Sequence, residues 1–260
     1  LDNLWVIASG RKSSHEIDFL LDFNVQASDS NESVSSAERE VLFLQKRKEI
    51  YQNLSGKGLE IGAFEHPARL PSSCEVKYFD RISTDQAREL FPEISYKDLP
   101  KVDIIGDLDQ KGLAKISSES FEFVIINHVI EHLFDPINAI YECLRILKPG
   151  GSLVMSVPDK RFTFDLERKL TSWSQLFKRF KKREKKAGFE DYEEIYQLHP
   201  NLKGKQQSKK EKTSFLKECM DRREHLNVWD SISFKSFLMR TLKFIEVEVN
   251  FEKEVSGDES

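Results

Sequence analysis

The sequence predicts a doubly wound α/β fold built on a mostly parallel sheet. Three observations carry this reading. Leu59–Ile61, Val76–Asp80, Val102–Asp107, Phe121–Asn127 and Ser152–Val157 are strand candidates. Several of them are nearly continuous apolar runs, the pattern of strands covered on both faces rather than one. Crossover segments separate them, the clearest running from Pro136 to Leu147 between a capping Asp135 and the stop signal Pro149-Gly150-Gly151. The length, 260 residues, accommodates one large domain of this kind plus additional segments.

Taken in order, residues 1–35 read as an N-terminal extension and linker. LWVIA (Leu4 to Ala8) has the composition of a short strand, and SDSNESVSS at 28–36 is polar and linker-like. Ser35 and Glu38 make a capping box, and Val41, Leu44, Lys48 and Tyr51 recur at helical spacing, so a helix is expected that ends before Gly56 and Gly58. Residues 36–166 form the core with its ligand site. Residues 167–230 break the alternation. They include the basic run KRFKKREKK (178–186) and the polar KGKQQSKKEK (203–212), and are expected to form a mostly helical insertion with flexible parts, serving as a lid or acceptor region. Phe177, Phe180, Tyr192 and Tyr196 interleave with its charges. They could form a stacking surface, but the preferred reading is the buried stripe of a lid helix. Residues 231–260 return to the core: Ser231 to Leu242 reads as a helix capped by Asp230 or Ser231, and FIEVEVNF (Phe244 to Phe251) alternates as a strand near the sheet edge.

Composition narrows the function classes. A net charge of −4 gives no global attraction to nucleic acid or anionic lipid, so no nucleic-acid partner is expected. The apolar run at Leu4–Ala8 is too short for a membrane span or a secretory core, and no other run approaches spanning length. Cys74, Cys143 and Cys219 are scattered without a CxxC pair, which argues against a disulfide framework or a cysteine zinc site and fits a reducing, cytoplasmic setting. The chain opens on Leu1 and closes on GDES, which reads as a segment of a longer protein.

Glu60, Gly62 and Asp80 carry the chemistry. Gly62 directly follows a strand, where a ligand passes close to the backbone and a Cβ would obstruct it. Asp80 ends the next strand, twenty residues after Glu60, the spacing at which a carboxylate accepts ribose hydroxyls in a doubly wound fold. The intervening loop, GAFEHP, lacks the GxGxxG glycines that a pyrophosphate needs. An acidic, glycine-poor loop suits a sulfonium nucleoside better than a dinucleotide.

With these residues the sequence resembles the class I S-adenosylmethionine-dependent methyltransferases, which have a Rossmann-like fold, over roughly Gly58 to Pro158 with a weaker echo at 225–253. GLEIGA resembles the family's first motif, without its second and third glycines. YFD, ending in Asp80, resembles the ribose motif, and GDLD (106–109) the segment whose acidic residue and following amide hold the adenine. INHVIEHLFDP and LRILKPGG resemble the fourth-strand motif and the turn before the fifth strand. The resemblance implies S-adenosyl-L-methionine as cofactor, held by Glu60, Gly62, Ala63, Asp80, Arg81, Asp107, Leu108 and Asn127. It also implies a closing antiparallel strand; little chain follows Phe251, so that strand is expected to be missing. VPDKRFTFD (157–165) and HLNVWDSISF (225–234) resemble a bacterial subgroup often encoded near cell-surface glycan genes, although Asn227 stands where such relatives tend to carry histidine.

The expected reaction is O-methylation of a glycan or small-molecule hydroxyl by direct displacement at the methyl carbon. His128 or Asp159 is the candidate general base; a histidine near its usual pKa can take a hydroxyl proton at neutral pH. HVIEH resembles the ExxEH pattern of some quinone-precursor O-methyltransferases, where a divalent metal sits near the acceptor. His128 replaces the first glutamate, and no metal is expected. Lys160 and Arg161 are read as surface charges. No DPPY or NPPY tetrapeptide follows the fourth strand, which counts against methylation of DNA base amines. The alternatives are a nicotinamide-dependent oxidoreductase and a non-catalytic binding module on the same scaffold.

Overall fold

The computed structural model describes residues 3–11, 16–23, 48–93, 99–199, 202, 208–245 and 248–251. Eight strands form one sheet: β1 (Asn3–Arg11), β2 (Glu16–Phe23), β3 (Gly56–Ile61), β4 (Cys74–Asp80), β5 (Ile104–Ile105), β6 (Phe121–Asn127), β7 (Leu147–Pro158) and β8 (Glu248–Phe251). Their order is β5-β4-β3-β6-β7-β1-β2-β8. The five adjacent strands β5-β4-β3-β6-β7 are mutually parallel, as their apolar runs predict. Chain order reverses direction across the sheet between β3 and β6. This is the switch point at which open α/β sheets leave a crevice beyond the carboxyl ends of the strands.

The closing antiparallel strand considered after Phe251 falls outside the described residues, but an antiparallel strand does stand beside β7. β1 runs antiparallel to β7, from Asn3 opposite Pro158 to Ser9 opposite Ser152, and so takes the place beside the fifth parallel strand. The physical reason is the length of β7. Its twelve residues would otherwise present a long unpaired edge. β2 then pairs antiparallel with β1, and β8 adds parallel to β2 at the outer edge.

Residues 48–52 are helical, the end of the helix expected after Ser35; Ser35, Glu38, Val41 and Leu44 lie outside the described residues. The remaining helices are α1 (Thr84–Leu90), α2 (Pro136–Ile146), α3 (Trp173–Lys181), α4 (Glu193–Leu198), α5 (Lys209–Arg222) and α6 (Ser231–Phe244). Asp135 caps α2 by accepting from the Asn138 amide at 3.1 Å, and Pro136 occupies its first turn. Asp230 caps α6 in a reciprocal box with Ser233. β5 is shorter than the expected Val102–Asp107. Asp103 turns its carboxylate onto the Tyr78 amide at 2.8 Å, replacing a ladder bond, and only Ile104–Ile105 pairs regularly.

The main core lies between β3, β6 and β7 and the helices α2 and α6. Val124, Met155, Ile140, Phe237 and Trp229 are all buried there. In the 167–230 region, Trp173, Phe177 and Phe180 of α3 pack against that core, with Phe177 and Phe180 meeting Phe244 edge-on at 5.3 and 5.2 Å. Tyr192 and Tyr196 join a second cluster with Ile195, Leu216 and Leu226. These aromatics are packing residues; Lys178 and Lys181 of α3 are exposed, whereas Arg179 turns inward to the Asn227 side chain at 2.9 Å and Asp191 at 3.0 Å. Among the described residues, no helix is long and apolar enough to cross a membrane.

Candidate functional site

A cleft of about 300 Å³ opens at the switch point, lined by Gly62, Asp80, Arg81, Leu108, His128 and Arg223 among others. Each of the parallel strands β3, β4 and β6 delivers one of these residues at its carboxyl end, and the turn after β5 delivers Leu108.

Gly62 has φ +67°, and a Cβ there would lie 2.5 Å from Val129 Cγ2. Both constraints demand glycine. Glu60 is buried beneath the same loop, where its carboxylate accepts from the Ala68 amide at 2.9 and 3.1 Å. It therefore shapes the 63–68 loop from behind the cleft. Ala63 sits beside the cleft in a small neighbouring cavity that also touches Asp80.

Asp80 accepts from the Ile82 amide at 3.3 Å. Burial raises its carboxyl pKa above the ordinary value, opposed by amide bonds from Ile82 and Arg81 and by the charges of Arg81 and Arg223. Arg81 reaches the Asp221 carbonyl at 3.2 Å, joining the cleft floor to the end of α5. Asp107 caps the turn Leu108–Gln110 through the Asp109 amide at 3.0 Å, and its other oxygen is paired with Arg223. Asp109 accepts from the Phe134 and Asp135 amides at 3.0 and 2.9 Å and faces Arg223 at 3.4 Å.

The structure separates the two residues that end the fourth core strand. Asn127 is held between the Tyr51 hydroxyl at 2.8 Å and the Ser156 hydroxyl at 3.0 Å, and does not line the cleft. His128 adopts φ +54°, and this left-handed step turns its ring into the cleft. Asp159 is placed elsewhere. It is buried, caps the turn Lys160–Phe162, and forms a two-pronged pair with Arg161, Nη2 to Oδ2 at 2.6 Å and Nε to Oδ1 at 3.0 Å. A carboxylate so occupied is a structural anchor, which corrects its candidacy as general base. Arg161, expected as a plain surface charge, is the other half of that anchor.

Sequence reasoning did not single out Arg223, Glu131, His132, His225 and Asp165 as a constellation. Glu131 is fully buried, 3.4 Å from His128 Nδ1 and 3.8 Å from His132 Nε2. Burial opposes its charge, but the three imidazoles of His128, His132 and His225 outweigh that and hold its carboxyl below the usual range. His132 Nδ1 lies 2.5 Å from the Arg223 carbonyl, and burial lowers the pKa of its ring to about 4. His225 Nδ1 lies 2.7 Å from Asp165, whose other oxygen meets Arg168 at 2.6 Å. The HVIEH and HLN motifs held the signal for this group, but nothing in the spacing joins segments nearly a hundred residues apart.

A second cavity of about 550 Å³ lies under the insertion, with Phe164, Ile195, Leu198 and Phe215 on its walls; it shares Arg222 and Glu224 with the cleft.

Comparison with known proteins decides the family. The model of a methyltransferase domain matches residues 36–195, over half of the chain. The chain belongs to the class I S-adenosylmethionine-dependent methyltransferase family. The chain is 42% identical, over 67 residues, to a probable S-adenosylmethionine-dependent methyltransferase of Mycolicibacterium smegmatis, covering 25% of the chain and 24% of that protein. It is 32% identical over 81 residues to an uncharacterised transposon protein of Streptomyces fradiae, covering 30% and 23%. The chain thus spans about a quarter of the length of these curated relatives. A methyltransferase candidate from Bacillus halodurans, whose crystal structure is known, aligns at 17% identity over 77% of this chain and 67% of its own, with a TM-score of 0.42. S-adenosylmethionine is the cofactor of the family, and the chain has its cleft beyond the carboxyl ends of the strands, where open α/β sheets bind ligands.

Proposed function

We propose that this methyltransferase transfers the methyl group of S-adenosylmethionine to a hydroxyl of a glycan or small molecule. The observation that carries the reading is that Gly62, Asp80, Leu108 and His128, contributed by four separate strand ends, line one cleft. Asp80 accepts the ribose hydroxyls. The Leu108 amide and the Asp107 carboxylate border the adenine corner, where the cofactor must share Asp107 with Arg223. The Gly62–Ala63 turn, shaped by Glu60, receives the methionine end. Asn127 acts at one remove, holding the end of the strand through Tyr51 and Ser156.

His128 is the general base. Its ring is 40% exposed and stands beside the buried Glu131. Glu131 near Nδ1 leaves Nε2 to face an incoming hydroxyl, and stabilises the imidazolium that forms when the proton arrives. The oxygen bonds to the methyl carbon as the carbon–sulfur bond breaks, the electron pair leaves with sulfur, and S-adenosylhomocysteine departs as a neutral thioether. Alignment and exclusion of water are the protein's main tasks. The cavity beneath the insertion supports an acceptor entering there: its aromatic and aliphatic walls suit the face of a sugar ring or a small hydrophobic skeleton, and it meets the cleft at Arg222 and Glu224.

Calorimetric titration with S-adenosylhomocysteine tests the cofactor half. Asp80→Ala is expected to weaken binding by about 1–3 kcal/mol, the worth of hydrogen bonds to a charged group. Tight binding of NAD without binding of S-adenosylhomocysteine overturns the reading. Transfer of label from methyl-labelled S-adenosylmethionine, compared between a glycan fraction and a panel of small hydroxyl compounds, tests the acceptor half.

A further inference from the structure

We infer that Glu131, His132 and His225 form a binding site for a divalent transition-metal ion at the seam between the cofactor cleft and the cavity beneath the insertion. One ligand atom from each residue lies within 4.8 Å of the others. Two imidazoles and a carboxylate are the donor set of open zinc and iron sites, and their nitrogen content disfavours magnesium or calcium.

Three further observations point to an ion. Both Glu131 oxygens are buried and neither makes a well-formed hydrogen bond: His128 Nδ1 and His132 Nε2 come no closer than 3.4 and 3.8 Å. The two histidines are each braced from behind. His225 Nδ1 is held by Asp165, itself clamped by Arg168, and His132 Nδ1 by the Arg223 carbonyl. This leaves Nε2 of each ring as the ligating atom, and the Nε2 of His132 already faces Glu131 at 3.8 Å. A carboxylate or carbonyl behind a ligand histidine is the usual outer support of a metal site. Finally, the residues come from both sides of the seam: His132 lines the cofactor cleft, and Phe164, whose ring packs on His225 at 4.8 Å, lines the other cavity.

Ligand atoms on tetrahedral zinc, at about 2.0–2.1 Å from the ion, lie roughly 3.3–3.5 Å apart, so binding draws the group together by about 1 Å. The remaining coordination positions open toward the seam, where an acceptor oxygen would be oriented and acidified next to His128. That role rests on the methyl-transfer reading; the binding site does not.

The test uses the full chain, stripped with EDTA, then dialysed with Zn²⁺ or Co²⁺ and assayed for bound metal by mass spectrometry and the cobalt visible spectrum. About one equivalent is expected, with a cobalt spectrum of mixed nitrogen and oxygen ligation. Glu131→Gln and His225→Asn are expected to abolish retention, and Asp165→Asn to weaken it about ten- to a hundredfold. His66→Ala, an exposed histidine outside the cluster, is expected to retain metal as the parent does. Circular dichroism and melting of the stripped variants separate misfolding from ligand loss. Parent protein that retains no metal overturns the site whatever the variants do, as does unchanged retention in a folded His225→Asn. Titration of the stripped parent with S-adenosylhomocysteine is read separately. Cofactor binding without metal binding removes the ion alone; metal binding without cofactor binding removes the methyl-transfer reading and leaves the site standing.

Discussion

Gly62 shows how much a single position can specify. Its positive φ and the closeness of Val129 Cγ2 act together, so Gly62→Ala strains the turn and pushes into the wall of the cleft. The left-handed conformation alone costs a non-glycine residue roughly 1–2 kcal/mol, and affinity for S-adenosylhomocysteine is expected to fall at least tenfold in a titration of the variant. Asp80 supports a prediction about pH. Burial raises its pKa in the free protein, and a ribose hydroxyl needs the ionised form as acceptor. Affinity is therefore expected to be level above that raised pKa and to decline as pH falls through it, by up to about tenfold per pH unit for one proton. In Asp80→Asn the acid decline should vanish. Gly62 and Asp80 were legible in the sequence because strand-end spacing fixes where they point. Asn127 and His128 were both placed in the site; that only His128 lines the cleft was not legible, because one left-handed residue decides which neighbour enters it. Asp159 was not legible either: its partner Arg161 lies two residues on, and only a tight helical turn brings the guanidinium back.

At the scale of elements, α5 is the least expected part of the site. Arg223, just past its end, reaches Asp107 and Asp109, while Arg81 reaches back to the Asp221 carbonyl and Arg222 pairs with Glu93. The insertion is thus fastened to the Asp107–Asp109 turn by guanidinium groups rather than by apolar packing alone. Arg223→Ala is expected to speed amide exchange in residues 209–222 by about tenfold or more, a loss of local stability without global unfolding, while exchange in β6 stays at the parent rate. No sequence signal announced this fastening. The basic and polar composition of the insertion is the same whether its charges face solvent or cross a cleft. Phe177 and Phe180 were readable as packing residues, because their helical spacing places them on the face of α3 that meets α6, but Tyr192 and Tyr196, read as part of the same stripe, belong to a separate cluster beyond α3.

For the molecule as a whole, the parallel sheet was readable from apolar runs and punctuated crossovers, but the neighbour of β7 was not. LWVIA declares a strand without declaring which edge it joins. Removal of residues 1–11 is expected to expose the β7 edge, lowering the thermal midpoint and producing aggregation that grows with protein concentration, measured by scanning fluorimetry and light scattering. An unchanged midpoint would count against β1 as an integral strand.

The pairing of Asn3 with Pro158 also has a temporal consequence. A ribosome emits roughly 5–20 residues each second, so β1 leaves the exit tunnel on the order of ten seconds before its partner exists. Throughout that interval β1 can pair with β2, but its other edge has no strand to meet. This early-made, late-housed segment is where a chaperone would have most to protect.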